Sequence, residues 1–388
     1  MRQLWIVVAL AGTGCNQLLG IDELTRIDAS GNPIDAPLFD AAPIDSHDSP
    51  PSMTCAMLVS PAKCFSNPTG AITIENVINT DPSGDARCMS VAQSTGPELC
   101  AIIGDTITVP AAGATITGSR PLLLLATTRI TVIGVLDASS TIETTARTGP
   151  GTSTPPPGCT LPTQGGGNDA HGGGAGGSFI TKGGDGGDGA GQQGHSGANG
   201  ANALTTTVLR AGCRGSSGGG GDGGTGGHGG GAIYLVAGTE IVISNRVIAN
   251  GAGGTGATLN EGGGGGGGSG GMIVLDASTI TMNGAIAQVS ANGGGGGEGT
   301  RDTNAREGTE STAWNLAALG GSGGSLEGGA GGIGAVLALT GLDALNGTMI
   351  NGNDGGGGGG GGGGGLVWVK GTLAGAQSAQ ISPPAVPK

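Results

Sequence analysis

Six cysteines, four histidines and a handful of aspartates are the residues of this 388-residue sequence best suited to chemistry. Cys55, Cys64, Cys88, Cys100, Cys159 and Cys213 form an even set, which in an exported chain reads as disulfides, and six cysteines allow fifteen pairings. Joining neighbours (Cys55 to Cys64, Cys88 to Cys100, Cys159 to Cys213) closes short loops. Zinc is the competing use, but there is no CxxC and no histidine lies at a ligand-like spacing from a cysteine. His47 falls in an acidic stretch, and His171, His195 and His228 fall in glycine loops, where they read as solvated polar residues. His195 and Ser196 are adjacent, and neighbours in sequence rarely present both side chains to one point as nucleophile and base. The nucleophile-elbow pattern GxSxG is met at Ser217, Ser269 and Ser322, each inside a glycine tract and not at a strand-to-helix turn. GxGxxG recurs without a strand, a helix and a later ribose-binding acid. A calcium nonapeptide fits 183–191 once, with Asp188 at the ligand position, whereas a calcium coil needs tandem copies. Asp185, Asp188 and Asp222 remain as weak ligands for a hard cation. Asp137 and Asp276 both sit in Leu-Asp-Ala-Ser, but at different points of their segments, so nothing converges them as a glycosidase pair. These patterns assign no catalytic residue, no metal site and no cofactor.

A seventh cysteine does a different job. Arg2, the apolar run 4–11 and the small residues Gly12, Thr13 and Gly14 before Cys15 describe a secretory signal too short to span a bilayer. The segment resembles the lipobox of bacterial lipoproteins, although Gly12 stands where that motif usually has Leu. The resemblance implies removal of residues 1–14, lipidation of Cys15 and a membrane as partner, and Asn16 after the cysteine implies sorting to the outer membrane. Several acyl chains anchor a terminus firmly where one does not. Secretion without an anchor is the alternative.

The elements that must position all this have an unusual composition. Of the 388 residues 91 are Gly and 19 Pro, with one Tyr, three Phe and three Trp. A Gly in a helix costs roughly 1 kcal/mol relative to Ala, which excludes a helical or doubly wound domain. Strict Gly-X-Y periodicity is absent, which excludes collagen. A net charge of −13 opposes binding to nucleic acid or to anionic lipid through a basic patch.

Along the chain, residues 15–52 are acidic and proline-spaced and read as an extended tether. Between 53 and 150, short aliphatic runs at 71–74, 101–109, 114–117, 122–126, 130–136 and 141–143 predict strands in a cysteine-containing β region. All but 16 of the 91 glycines lie between 165 and 365, where they alternate with apolar cassettes. Four segments share the pattern of an apolar run, a small turn and an alternating strand: LLLLATTRITVIGVLDAS at 122–139, AIYLVAGTEIVISNRVIANG at 232–251, MIVLDASTITMNGAIAQVSANG at 272–293 and a truncated LVWVKGTLAG at 366–375. AVLALTGLDALNGTMING at 335–352 reads as a degenerate copy. Each unit leaves one open edge and one apolar face, and parallel stacking removes both. The predicted fold is therefore all-β, a parallel β-helix or β-solenoid over 151–375 with a tail at 376–388. Its glycine tracts, such as 262–268 and 355–365, are either loose linkers or strands packed in polyproline-II-like geometry.

GSRPLLLLATTRITVIGVLDAS, GGGAIYLVAGTEIVISN and GGGGGGGSGGMIVLDASTITMNG, with LLGID at 18–22 close behind Cys15, resemble the exported glycine-rich surface lipoproteins of myxobacterial type. Mycobacterial PGRS proteins share the composition but carry a helical N-terminal domain with no counterpart here. The resemblance implies an exported surface protein and brings no characterised activity. The functional expectation is a non-enzymatic, structural or adhesive protein of the outer membrane or cell surface, or a secreted one, with extracellular matrix or polysaccharide as partner. The alternatives are a β-helix enzyme acting on extracellular polysaccharide, and ice or hydrated-surface binding through Thr127, Thr131, Thr279 and Thr281.

Overall fold

A computed structural model of the chain describes residues 53–56, 62–66, 70–142, 146–152, 156, 158–160, 164–166, 171–190, 196–204, 206–350, 353–375 and 380–387. The expected signal segment, Cys15 and the tether lie outside the described residues, as do His47 and His195. Residues 51–388 make one compact unit, in which the described residues are all-β, with no helix and mostly parallel pairing.

An antiparallel hairpin of β1 (Met53–Ala56) and β2 (Lys63–Ser66) comes first. From there the chain visits two parallel sheets in alternation. β3 (Ala71–Thr73) lies in the first sheet and β4 (Asn76–Asn79) in the second. β5 (Met89–Val91) adds an antiparallel edge to β6 (Leu99–Val109) of the first sheet, and β7 (Ala114–Thr117) follows in the second. The same step recurs with β8 (Leu122–Val132) and β9 (Leu136–Asp137), then with β10 (Ala232–Ala237) and β11 (Glu240–Ile243) leading to β12 (Arg246–Ile248). It recurs once more with β13 (Met272–Met282) and β14 (Gln288–Ser290). After a short hairpin of β15 (Met349–Ile350) and β16 (Asn353–Asp354), β17 (Leu366–Ala374) enters the first sheet, β18 (Ile381–Ser382) the second and β19 (Val386–Pro387) the first. β8, β10, β13 and β11 close a four-strand parallel circuit of pairings, because β10 and β11 are two halves of one line of chain. Ile233 faces Leu122 and Glu240 faces Arg129 in one constant register, interrupted only at Gly238 and Thr239.

Four of the cassettes therefore lie side by side, with Ile233 opposite Leu122, and Ala232, Met272 and Leu366 in line. Strand alternation sends Ile107, Ile130, Ile241, Ile280 and Leu373 inward to one aliphatic core shared with Ile116, Leu136, Val247 and Val289 of the second sheet. The first half of each long strand is buried on both faces, its outer face carrying Leu123, Tyr234 and Val274 against Phe179, Leu209 and Ala56. Double burial explains why the sequence opens each cassette with an unbroken apolar run and alternates only afterwards.

β8 and β10 are paired neighbours across residue 150, so one sheet runs from the 53–150 region into the glycine-rich part. The expected tail at 376–388 supplies β18 and β19. Thr141 makes an isolated antiparallel bridge to Arg147, and the end of the strand expected at 141–143 lies outside the described residues.

The described glycine tracts are hydrogen-bonded to one another, and the bonds repeat every three residues, not every two. In segment 262–271, Gly263, Gly266 and Ser269 donate to the carbonyls of Gly219, Ser216 and Cys213. Gly264, Gly267 and Gly270 donate to Gly357, Gly360 and Gly363, while Gly265, Gly268 and Gly271 donate to Thr255, Ala252 and Ala249. Its carbonyls accept with the same period from three further segments, through Thr300, Gly297 and Gly294, through Gly224, Gly227 and Gly230, and through Gly174 and Gly177. One extended segment thus touches six others. Segments 291–300 and 355–365 are surrounded in the same way, with 171–177, 182–190, 249–257, 262–271 and 327–336 among their neighbours. A methyl group at Gly266 would sit 1.9 Å from the carbonyl oxygen of Ala175, and one at Gly359 would sit 2.0 Å from that of Gly265. Only hydrogen fits between the segments, and that is why the tract is glycine.

Segment 335–352 is not a cassette. Gly341, Ala344 and Gly347 donate to Lys182, Asp185 and Asp188, and Leu342, Leu345 and Thr348 donate to Ile333, Ala330 and Glu327, so it is an outer member of the glycine lattice. Its small residues recur every third position, which leaves Leu342 and Leu345 exposed and not in the aliphatic core.

Candidate functional site

The six cysteines join as Cys55–Cys64, Cys88–Cys100 and Cys159–Cys213. The first ties β1 to β2 across directly opposed positions, the second ties Cys88 to β6, and the third ties an outer loop to segment 211–220 of the lattice.

The carboxylates singled out as cation ligands bond to other groups of the chain instead. Asp185 Oδ1 accepts from Gly200 N at 2.6 Å and pairs with Lys182 Nζ at 2.8 Å. Asp188 Oδ1 accepts from Gly197 N at 2.8 Å, and Asp222 Oδ2 accepts from Asn260 Nδ2 at 2.6 Å. Burial works to raise the Asp185 pKa, but the hydrogen bonds from Lys182 and Gly200 outweigh it and leave the carboxyl below its ordinary value. Asp185 N and Asp188 N in turn donate to Asp343 Oδ1 at 2.7 Å and Asn346 Oδ1 at 2.8 Å, so the outer segment whose backbone donates to Lys182, Asp185 and Asp188 accepts in return through its side chains. Among the described residues no three His, Cys, Asp or Glu side chains group closely enough to hold a metal ion.

Asp137 and Asp276 are not brought together. Asp137 lies in β9 of the second sheet and pairs with Arg147 Nη2 at 2.5 Å. It also lines an open recess of about 380 Å³ with Asn76, Val77, Thr115 and Val135. Asp276 lies in β13 of the first sheet, where its Oδ2 accepts from Tyr234 Oη at 2.8 Å and Lys370 Nζ at 3.2 Å. Of the serines in elbow-like patterns, Ser269 is buried in the lattice, with its Oγ accepting from Cys213 N at 2.8 Å. His171 and His228 are separate members of the lattice: the His171 carbonyl accepts from Gly357 and that of His228 from Ala252. Burial, and then the charge of Arg214, hold the His228 imidazole below its ordinary pKa.

One face of the first sheet is polar and regular. Outward residues alternate with the inward isoleucines, so Thr106, Arg129, Glu240, Thr279 and Thr372 form one row across the strands, and Thr108, Thr131, Val242, Thr281 and Ala374 form the next. Rungs of a parallel sheet stand about 4.8 Å apart, giving the hydroxyls a fixed spacing. Arg129 and Glu240 interrupt the first row with an ion pair at 2.7 Å, and Glu240 also accepts from Thr281 Oγ1 at 2.9 Å. Thr127 stands apart from both rows, at an irregularity where its Oγ1 donates to Asp105.

Sequence reasoning missed two polar devices. Asn250 and Asn292, each in an Ala-Asn-Gly that ends a cassette, form one bonded ladder: Asn292 N donates to Asn250 Oδ1 at 2.9 Å, Asn250 N to Ser139 Oγ at 3.0 Å and Ser382 Oγ to Asn292 Oδ1 at 2.5 Å. The repeated Ala-Asn-Gly was the available signal. Glu298, the one acid within a glycine run at 293–299, is buried and accepts from Arg306 N and Gly324 N at 2.9 Å and from Ser325 N at 3.2 Å. Nothing in the local sequence distinguished it from a solvated charge.

Chemically, then, these acids and amides are occupied in bonds within the chain, to backbone amides or to neighbouring side chains, and the first sheet offers outward a hydroxyl-bearing face. No protein-family model, no curated protein and no solved structure matches the chain.

Proposed function

We propose that this chain is an exported, lipid-anchored structural or adhesive protein of the cell surface: a parallel β-solenoid whose glycine insertions pack beside it as a layer of polyproline-II-like strands. The observation that carries the reading is the lattice itself. Its three-residue hydrogen-bond period is that of polyproline II, which has three residues per turn and makes no internal hydrogen bonds. Packed six around one, such strands satisfy donor and acceptor groups that a long glycine loop would otherwise present to water. The product is stiffness without side-chain chemistry, which suits a spacer or scaffold better than a catalyst. Export is supported by the signal-like residues 1–14 and by the pairing of all six later cysteines. The threonine face is the surface on which adhesion to a hydroxyl-rich matrix would rest.

Detergent phase partitioning of the full-length protein made in an exporting bacterial host tests the anchor. The native sequence is expected in the detergent phase and the Cys15→Ala variant in the aqueous phase. Equal partitioning of the two would remove lipidation from the reading.

A further inference from the structure

We propose that the Cys159–Cys213 bridge is a site of thiol–disulfide exchange with low-molecular-weight thiols, set apart from the other two bridges by the Arg210 guanidinium held against its sulfurs. Arg210 is 3% exposed. Its Nη2 lies 2.6 Å from Cys159 Sγ and 3.3 Å from Cys213 Sγ, its Nε donates to Ala211 O at 3.2 Å and its guanidinium carbon stands 5.0 Å above the buried Phe179 ring. Burial lowers the Arg210 pKa only to about 10, so the group stays cationic at neutral pH.

A disulfide offers that cation two weakly accepting sulfurs, whereas a thiolate offers it a full negative charge. Cations beside a cysteine lower its thiol pKa, and a thiol of lower pKa is the better leaving group in exchange. Access differs between the sulfurs: Cys159 is half-buried and Cys213 is buried. The step follows from that difference. The thiolate of a small thiol attacks Cys159 Sγ, a new S–S bond forms there, the Cys159–Cys213 bond breaks, and Cys213 leaves with the electron pair as a thiolate beside Arg210. A second thiol attacks the outer sulfur of the mixed disulfide, so the two small thiols leave oxidised as their disulfide and both protein sulfurs are reduced. Halted after the first step, Cys159 carries the small thiol as a reversible covalent modification. The strand bearing Cys213 stays in place, since Cys213 N and O are both bonded to Ser269.

The experiment equilibrates the full chain in glutathione redox buffers at pH 9, where a thiol of lowered pKa is largely thiolate and Arg210 is still largely cationic, quenches with acid and reads each bridge by differential alkylation and peptide mass spectrometry. Arg210→Met is expected to shift the Cys159–Cys213 equilibrium toward the disulfide by up to about tenfold, the effect of one unit of thiol pKa on an ionised thiol, with Cys88–Cys100 unmoved as internal reference. Arg210→Lys, which keeps a cation, is expected to fall between Met and native. A shift under about threefold, or an equal shift in both bridges, overturns the proposal. Because Arg210→Met also alters packing, the native protein supplies a second test. Once reduced, Cys213 should alkylate with an apparent pKa below the roughly 8.5 of a free cysteine, and a value at or above it overturns the proposal without any variant.

Discussion

Gly266→Ala isolates what the glycine lattice requires. The new methyl carbon would lie 1.9 Å from Ala175 O and 2.3 Å from its carbonyl carbon, where contacts under 3.0 Å essentially do not occur. Segment 171–177 must therefore retreat by more than an ångström, and both partners in the contact are backbone, so no rotamer change relieves it. That retreat breaks the bonds flanking the contact, from Gly174 N to Gly264 O and Gly177 N to Gly267 O, both 2.8 Å, and from Ser216 N to Ala175 O at 2.9 Å. At roughly 0.5–1.5 kcal/mol net for each bond, the loss is about 1.5–4.5 kcal/mol, more where a buried donor is left unmet. In a loose linker, equally free in the folded and unfolded chain, the entropy change cancels and the same substitution would alter stability by less than about 0.5 kcal/mol. The two pictures thus differ by several-fold in the measured loss. Gly221, whose added Cβ would meet nothing within 4 Å, is the matched control. Denaturant unfolding of both variants, with hydrogen exchange at 262–271, decides the matter. Gly266→Ala is expected to lower stability by several kcal/mol and speed exchange at Gly174 and Gly177, while Gly221→Ala stays within about 1 kcal/mol of native. Indistinguishable stabilities would refute the lattice as the reason for the glycine content.

Two further outcomes follow from the same structure. The folded-state pKa of His228 lies below its ordinary 6.5, so below pH 6.5 the unfolded chain takes up a proton that the folded chain refuses. Stability contributed by the neutral imidazole is complete above pH 6.5 and is lost as pH falls toward the folded pKa. His228→Gln should flatten that part of the stability–pH curve measured by denaturant unfolding, and an unchanged slope would contradict the assignment. On the open face, Thr108→Lys with Thr281→Lys should weaken co-sedimentation with insoluble polysaccharide by about tenfold, near 1.4 kcal/mol, without moving the melting temperature. Equal sedimentation of native and double variant would place any adhesive surface elsewhere.

The sequence alone determined the all-β class, the exclusion of helix and collagen, and four of the stacked cassettes, because aliphatic runs that must stack leave a recurring pattern. Segment 335–352 escaped that reading: its Leu and Val mimic a cassette, while the small residues at 341, 344 and 347 obey the three-residue period of the lattice, a period visible only once its neighbours are known. Tertiary structure also decided the fate of the polar residues. Asp185, Asp188 and Glu298 have the types and spacing of ligands or solvated charges, and each is instead consumed by backbone amides of loops that fold back onto it from 8 to 27 residues further along the chain. The glycine runs show the division most plainly. Glycine without a side chain is equally at home in a free linker and in the tightest backbone packing, and composition cannot separate the two. What separates them is the carbonyl of another segment, placed where a methyl group would have to be.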